Sequence, residues 1–130
     1  MSNRIAVDAN AAIAWLRTEE TDATAFRRAQ SVAFPLPVVG ELYAGAFAST
    51  NREANLERVA SFLATGEIIK PDEETARVYG TLRARMRLTD IRASKMNDLW
   101  IAALCLQHSL PLLTNDRGFD PITGLTVIRW

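Results

Sequence analysis

Two carboxylates in this chain come at the ends of short apolar runs: Asp8 closes RIAVD and Asp116 follows PLLTN. If those runs are strands of a parallel sheet, both acids lie at strand carboxyl ends, where open α/β sheets bind ligands. Each has an ordinary alternative. Asp8 or Asn10 can cap the following helix, and Asp116 can hold an Asx turn. A third acid, Asp98, stands just before eight apolar residues, Leu99 to Leu106. At a helix amino terminus Asn97 or Asp98 can act as a cap, since unpaired amides and partial positive charge collect there. The same-face successors of Asp98, Ile101, Ala102 and Cys105, are apolar, however, and the helix behind it is apolar all round, so its turn points at a buried edge. A fourth acid, Glu41, has Pro37, Val38, Ala44, Gly45 and Ala48 on its helical face. Either its carboxylate sits at the stripe's edge in water, or that small apolar face is packed and the carboxylate requires a partner.

Acids on four separate segments would repel one another if they converged, so a cation must hold them. The chain has one histidine and one cysteine, and an all-oxygen donor set points to Mg²⁺ or Mn²⁺ and away from Zn²⁺. Such ions favour phosphate substrates, activate water for in-line attack and stabilise a leaving oxygen, which is the chemistry of phosphodiester hydrolysis. Other chemistries lack their residues. Cys105 among apolar neighbours reads as an inert buried thiol, and His108 as the cap at the far end of the apolar helix. No glycine-rich loop ending in Lys-Ser or Lys-Thr occurs, which excludes a P-loop. VDAN supplies a single acid where a phospho-receiver has a pair, and Asn10 stands where a haloacid-dehalogenase-type phosphatase has a second aspartate.

Strands alternating with helices must position these side chains, which predicts a parallel sheet covered by helices. RIAVD reads as the first strand, VAF at 32–34 as the second, EIIK as the third, PLLTN as the fourth and TVIRW as the fifth. Helices are predicted over Ala11 to Arg17, over Thr24 to Gln30, and from the Pro37 turn to about Ser49. Another follows Asn51 as cap through Leu63, with Gly66 as its stop, and a further one follows Asp72 as cap. In the last of these Ala76, Tyr79, Leu82 and Met86 form the expected core stripe. The Asp98 helix completes the set after a polar loop around Thr89 to Lys95.

At 130 residues and 48% hydrophobic content the sequence suits one domain, 1–130, with a real core. The longest apolar run falls far short of the ~20 residues that cross a bilayer, and MSNRIAVD has no signal-peptide pattern, so no membrane association and a cytoplasmic location are expected. Fifteen basic and fifteen acidic residues cancel, and overall charge does not advertise nucleic-acid binding. The distribution is uneven: Arg77, Arg83, Arg85, Arg87, Arg92 and Lys95 face only Asp90 in that stretch, while Glu19, Glu20 and Asp22 cluster elsewhere. A solvated helix face is the ordinary account of such a run.

The order VDAN, PVVGELYAGA, NDLWIAAL and LLTNDRGF resembles the PIN-domain nucleases, and most closely the VapC-type toxins of bacterial toxin–antitoxin pairs. The match runs over essentially the whole chain, including the closing GLTVIRW. The resemblance implies a PIN-like α/β/α sandwich on a short, mainly parallel sheet and a metal-dependent endoribonuclease. Its metal site would comprise Asp8, Glu41, Asp98 and Asp116, with Asn10 and Thr114 as polar support and Asp90 and Asp120 as acids easily mistaken for Asp116. It also implies Mg²⁺ or Mn²⁺, an RNA substrate, a small VapB-like antitoxin and a homodimer. Arg83, Arg85, Arg87, Arg92 and Lys95 would then line the RNA backbone. An antitoxin arm would lie between the small-residue face of the Glu41 helix and Leu56, Val59 and Leu63. The alternative is a non-catalytic PIN-like module that binds RNA or protein, its acids serving as caps or holding a structural ion.

Overall fold

Ile5, Ala6 and Val7 are all buried in the first strand, β1 (Arg4–Val7), as expected of a central parallel strand covered on both faces. The structure, a computed structural model, describes residues 4–18, 31–86 and 93–130, without the side chains of 17, 18 and 93–95. The predicted helix over Thr24 to Gln30 lies outside the described residues, as do Glu19, Glu20, Asp22, Arg87, Asp90 and Arg92.

Along the chain β1 is followed by α1 (Ala9–Thr18), β2 (Ser31–Pro35), α2 (Leu36–Ala48), α3 (Arg52–Leu63) and β3 (Glu67–Ile69). Then come α4 (Glu73–Arg85), α5 (Ala93–Gln107), β4 (Leu112–Leu113), a 3₁₀ turn at Arg117–Phe119 and β5 (Val127–Ile128). The strands form one sheet in the order β3-β2-β1-β4-β5, every pairing parallel. Ala6 stands opposite Ala33 on one side and Leu112 on the other. The chain thus moves outward from β1 in one direction and returns to its other side with β4. The carboxyl ends of β1 and β4 flank the switch point of the topology, the usual ligand crevice of an open α/β sheet. This is the expected α/β architecture with a short parallel sheet. None of the described helices is long and apolar enough to cross a membrane.

Several local features differ from expectation. The described part of α5 starts at Ala93, so Asp98 lies inside the helix and cannot cap it. The capping motif is real on α4, where Asp72 accepts from the Thr75 amide at 3.0 Å and Thr75 accepts from the Asp72 amide at 2.9 Å. Asn51 occupies the cap position of α3 without a side-chain capping bond. On α4 the buried stripe runs through Thr75 and Leu82 with Tyr79 at its margin, and Ala76 is exposed. Gly66 is needed for close approach: a Cβ there would lie 2.4 Å from the Val32 carbonyl oxygen. The carboxyl end of α5 closes through Ser109 at φ 54°, with the Leu110 amide donating to the Cys105 carbonyl at 2.8 Å. His108 is exposed beside that turn.

Candidate active site

Asp8 ends β1 as a buried carboxylate, 6% exposed, whose two oxygens are separately engaged. Oδ1 accepts from the Ala9 amide at 2.8 Å, and Oδ2 accepts from the Thr114 hydroxyl at 2.8 Å. Its carbonyl also accepts the Ala12 amide at 3.0 Å, so Asp8 opens α1 as well. Thr114 comes directly after β4 and is fully buried. Its hydroxyl accepts from the Asp116 amide at 3.0 Å, linking the two strand ends, and Asn10 Oδ1 lies at 3.5 Å from it. Asp116 Oδ1 accepts from the Gly118 amide at 2.8 Å, so the Asx-type turn exists and holds the acid in place.

The electrostatics show which acids are neighbours. Burial raises the Asp8 carboxyl above its ordinary range, the Thr114 and Ala9 bonds pull it back, and the charge of Asp116 pushes it up again. Burial also raises Glu41, followed by the charge of Asp8, with the Asn97 side chain opposing through a hydrogen bond. Asp8 therefore lies within electrostatic reach of both Asp116 and Glu41. Asp98 is half-buried on α5, one residue after Asn97, and Ile101, Ala102 and Cys105 on its face are buried as predicted. The Cys105 thiol is pushed up to about 12, mainly by burial and then by Asp8, which leaves it protonated and inert.

The surroundings of Glu41 require a correction. Val38, Val39, Leu42 and Ala46 are the buried residues of α2, whereas Gly40, Glu41, Ala44, Gly45, Phe47 and Ala48 are exposed. The small-residue face is an open surface. Glu41 is exposed as a residue, yet the Asn97 bond and the walls of an adjoining groove crowd its carboxyl. That groove, about 350 Å³, is lined by Ile13 and Leu16 of α1, Glu41, Leu42 and Gly45 of α2, and Arg58 and Val59 of α3. Val59 and Leu63 are core, and Leu56 is half-buried.

Of the basic residues singled out, Arg83 is half-buried with its guanidinium 5.8 Å from the Tyr79 ring centre, and Tyr79 stacks on Trp100 at 4.1 Å. Arg85 is exposed; Arg87 and Arg92 and the side chain of Lys95 are outside the described residues. Asn97, which the sequence offers only as a cap, instead bonds Glu41. Its signal was adjacency to Asp98, hidden by starting the helix too late.

Among the described residues Asp8, Glu41 and Asp116 have no ion-pair partner; the ion pairs are Arg4–Glu67 and Arg129–Asp120. Nor are three acid, imidazole or thiol groups drawn into a ready coordination shell among those residues. The donors nevertheless fit a hard dication: they are oxygens, the charge of Asp116 raises Asp8 and that of Asp8 raises Glu41, and no cationic side chain among the described residues pairs with Asp8, Glu41 or Asp116.

A family model described as PIN domain matches residues 5–125. The chain is 30% identical over 100 residues to Ribonuclease VapC5 of Mycobacterium tuberculosis, covering 75% of this chain and 73% of that one. Among solved structures it resembles VapBC2 from Rickettsia felis bound to a promoter DNA fragment, with TM-score 0.85, 23% identity and 98% of each chain covered. It also resembles VapBC-5 from Mycobacterium tuberculosis, with TM-score 0.72, 25% identity and coverage of 98% and 97%.

Proposed function

The chain belongs to the PIN-domain family and to its VapC ribonucleases, and we propose that it hydrolyses RNA phosphodiester bonds as the toxin of a toxin–antitoxin pair. One observation supports this most directly. At the topological switch point the Asp8 carboxyl feels the charge of Asp116 and pushes up that of Glu41, and none of the three has an ion-pair partner among the described residues.

Asp8, Glu41, Asp98 and Asp116 would hold Mg²⁺ or Mn²⁺, with Asp8 and Asp98 as the main ligands. The ion would supply phosphate binding and a lowered pKa for the attacking water. The residues of the chain do the rest. Thr114 fixes Asp8 Oδ2 and the Asp116 amide together, and Asn97 orients Glu41, which stands more exposed and is suited to reach a water. Asn10 offers a further amide at the rim. Exposed Arg85, with Arg87, Arg92 and Lys95, would contact successive RNA phosphates, a role that weakens as salt rises.

The groove beside Glu41 is the proposed seat of the antitoxin. It has apolar walls and is lined by one acid, Glu41, and one cation, Arg58, and the Glu41 carboxylate suits an arginine, which pairs carboxylates in bidentate fashion. Leu36 at 40% and Phe47 at 54% exposed leave apolar surface on α2 for a partner or for a second copy in a homodimer.

The test is RNA cleavage by the purified chain with and without Mn²⁺. Cleavage should need the metal and vanish in the Asp8→Asn/Asp98→Asn double variant. Undiminished cleavage by that variant, or in excess chelator, would sink the assignment.

A further inference from the structure

Asp116 lies beyond a strand of only two residues, on a turn that must be held from outside the sheet. From within, Phe119 anchors the turn as a fully buried side chain. On the β5 side it is gripped by Ile128, Arg129 and Trp130. The Thr114 amide donates to the Ile128 carbonyl at 3.0 Å, and the Trp130 amide donates to Asn115 Oδ1 at 3.1 Å. Arg129 makes the third and widest contact. Its Nη2 pairs with the Asp120 carboxylate, while its Nη1 donates to the Thr114 carbonyl at 3.5 Å. One planar guanidinium therefore reaches both ends of the segment 114–120 that carries Asp116.

We infer that Arg129 is a positioning residue that brackets this turn through Thr114 and Asp120 and so sets the place of Asp116 for metal binding. The inference rests on the proposed role of Asp116 as a metal ligand. Stability alone does not explain the bracket. Both partners are partly exposed, at 34% and 46%, and exposed ion pairs contribute little to folding. Metal affinity is more demanding, because ligands must stand within a fraction of an ångström of the required geometry, and the groups behind them fix that. A lysine would keep the charge opposite Asp120 but lacks the fork that spans both ends of the turn. Asp120, an acid easily mistaken for Asp116 in the sequence, thereby acquires a separate role.

The experiment measures Mn²⁺ binding to the full chain by loss of the free-ion resonance signal, together with amide exchange at Gly118 in metal-free protein. Arg129→Ala and Asp120→Asn should each weaken Mn²⁺ binding on the order of tenfold and speed Gly118 exchange. The double variant should be no worse than either single change, as expected of residues acting through one contact. Arg129→Lys should remain weakened. Melting temperature should move by no more than about 2 °C, as expected of an exposed pair. Unaltered binding in the single variants while wild type binds Mn²⁺ would overturn the bracket alone, as would full recovery by Arg129→Lys. If wild type binds no Mn²⁺, the metal reading beneath the bracket falls and takes the bracket with it.

Discussion

The Asp8 carboxylate is held in place yet electrostatically unsatisfied, and both halves of that description have measurable consequences. Burial, resisted by the Thr114 and Ala9 bonds, raises it above its unfolded value of 3.8, and burial with the charge of Asp8 raises Glu41 above 4.5. A carboxyl whose pKa is raised by folding leaves stability intact below the unfolded value and costs stability as pH climbs through the folded one. Metal-free protein should therefore melt lower at about pH 7 than at about pH 4.5, since the loss sets in as pH climbs from the unfolded values. Asp8→Asn should flatten that difference, and Mn²⁺ should recover it by mass action. Asp72, whose carboxyl is lowered chiefly by the Thr75 amide, has the opposite sign and acts only below 3.8, outside this window. A melting temperature that stays flat or climbs between the two pH values would refute the account. Thr114→Val removes the bond to Asp8 and the acceptor for the Asp116 amide while keeping the shape, so it should cost about 1–3 kcal/mol in denaturant unfolding. The placement of Asp8 and Asp116 at strand ends was legible from sequence because each follows an apolar run. Asn97 and Arg129 were not, since an amide on a helix and a cation in a final strand break no pattern, and their roles come from a fold that brings distant segments together.

Element by element, the pattern of strands was legible because parallel central strands are continuous apolar runs, and RIAV and LL read as such. Helix ends were less so. Asp98 looked like a cap because apolar residues begin after it, but a helix can begin with polar turns when its first part faces solvent, and Met96 and Asn97 are exposed. The α2 face illustrates the converse. Small residues there suggested packing, yet nothing lies within 4 Å of a Cβ built at Gly40 or Gly45. Two single changes test what closes these elements. Ser109 adopts φ 54° at the end of α5, a conformation that costs a side-chain-bearing residue about 1 kcal/mol, so Ser109→Gly should raise the denaturant midpoint by a corresponding amount. Gly66→Ala should lower it by about 1–3 kcal/mol, because its methyl meets the backbone carbonyl of Val32 and the Phe34 ring. If Gly66→Ala were as stable as wild type, the approach of α3 to β2 would have to be looser than described.

At the scale of the whole molecule, the groove beside Glu41 carries charge of both signs. Glu41 of α2, which feels the charge of Asp8, and Arg58 of α3 both line it. Ile13, Leu16, Leu42 and Val59 present apolar walls, and Gly45 presents no side chain, so a partner backbone can lie close. From Glu41 to Ser49, the α2 wall spans about 12 Å at the α-helical rise, enough for three or four extended residues. A ribonuclease free in a cell would damage its own host, and this geometry offers a way to restrain it. An arm with an arginine for Glu41, apolar residues for the walls and an acid for Arg58 would match the groove in charge and would compete with metal and RNA. We expect a small protein encoded beside this gene to copurify with the chain and silence it. Arg58→Glu should weaken that inhibition roughly tenfold or more, because like charges then meet there, while leaving RNA cleavage by the free chain at its original rate. Arg58 also donates to the Leu16 carbonyl, so a melting curve must accompany the measurement to separate lost docking from a loosened α1. Undiminished inhibition of a stably folded Arg58→Glu variant would place the antitoxin elsewhere on the surface.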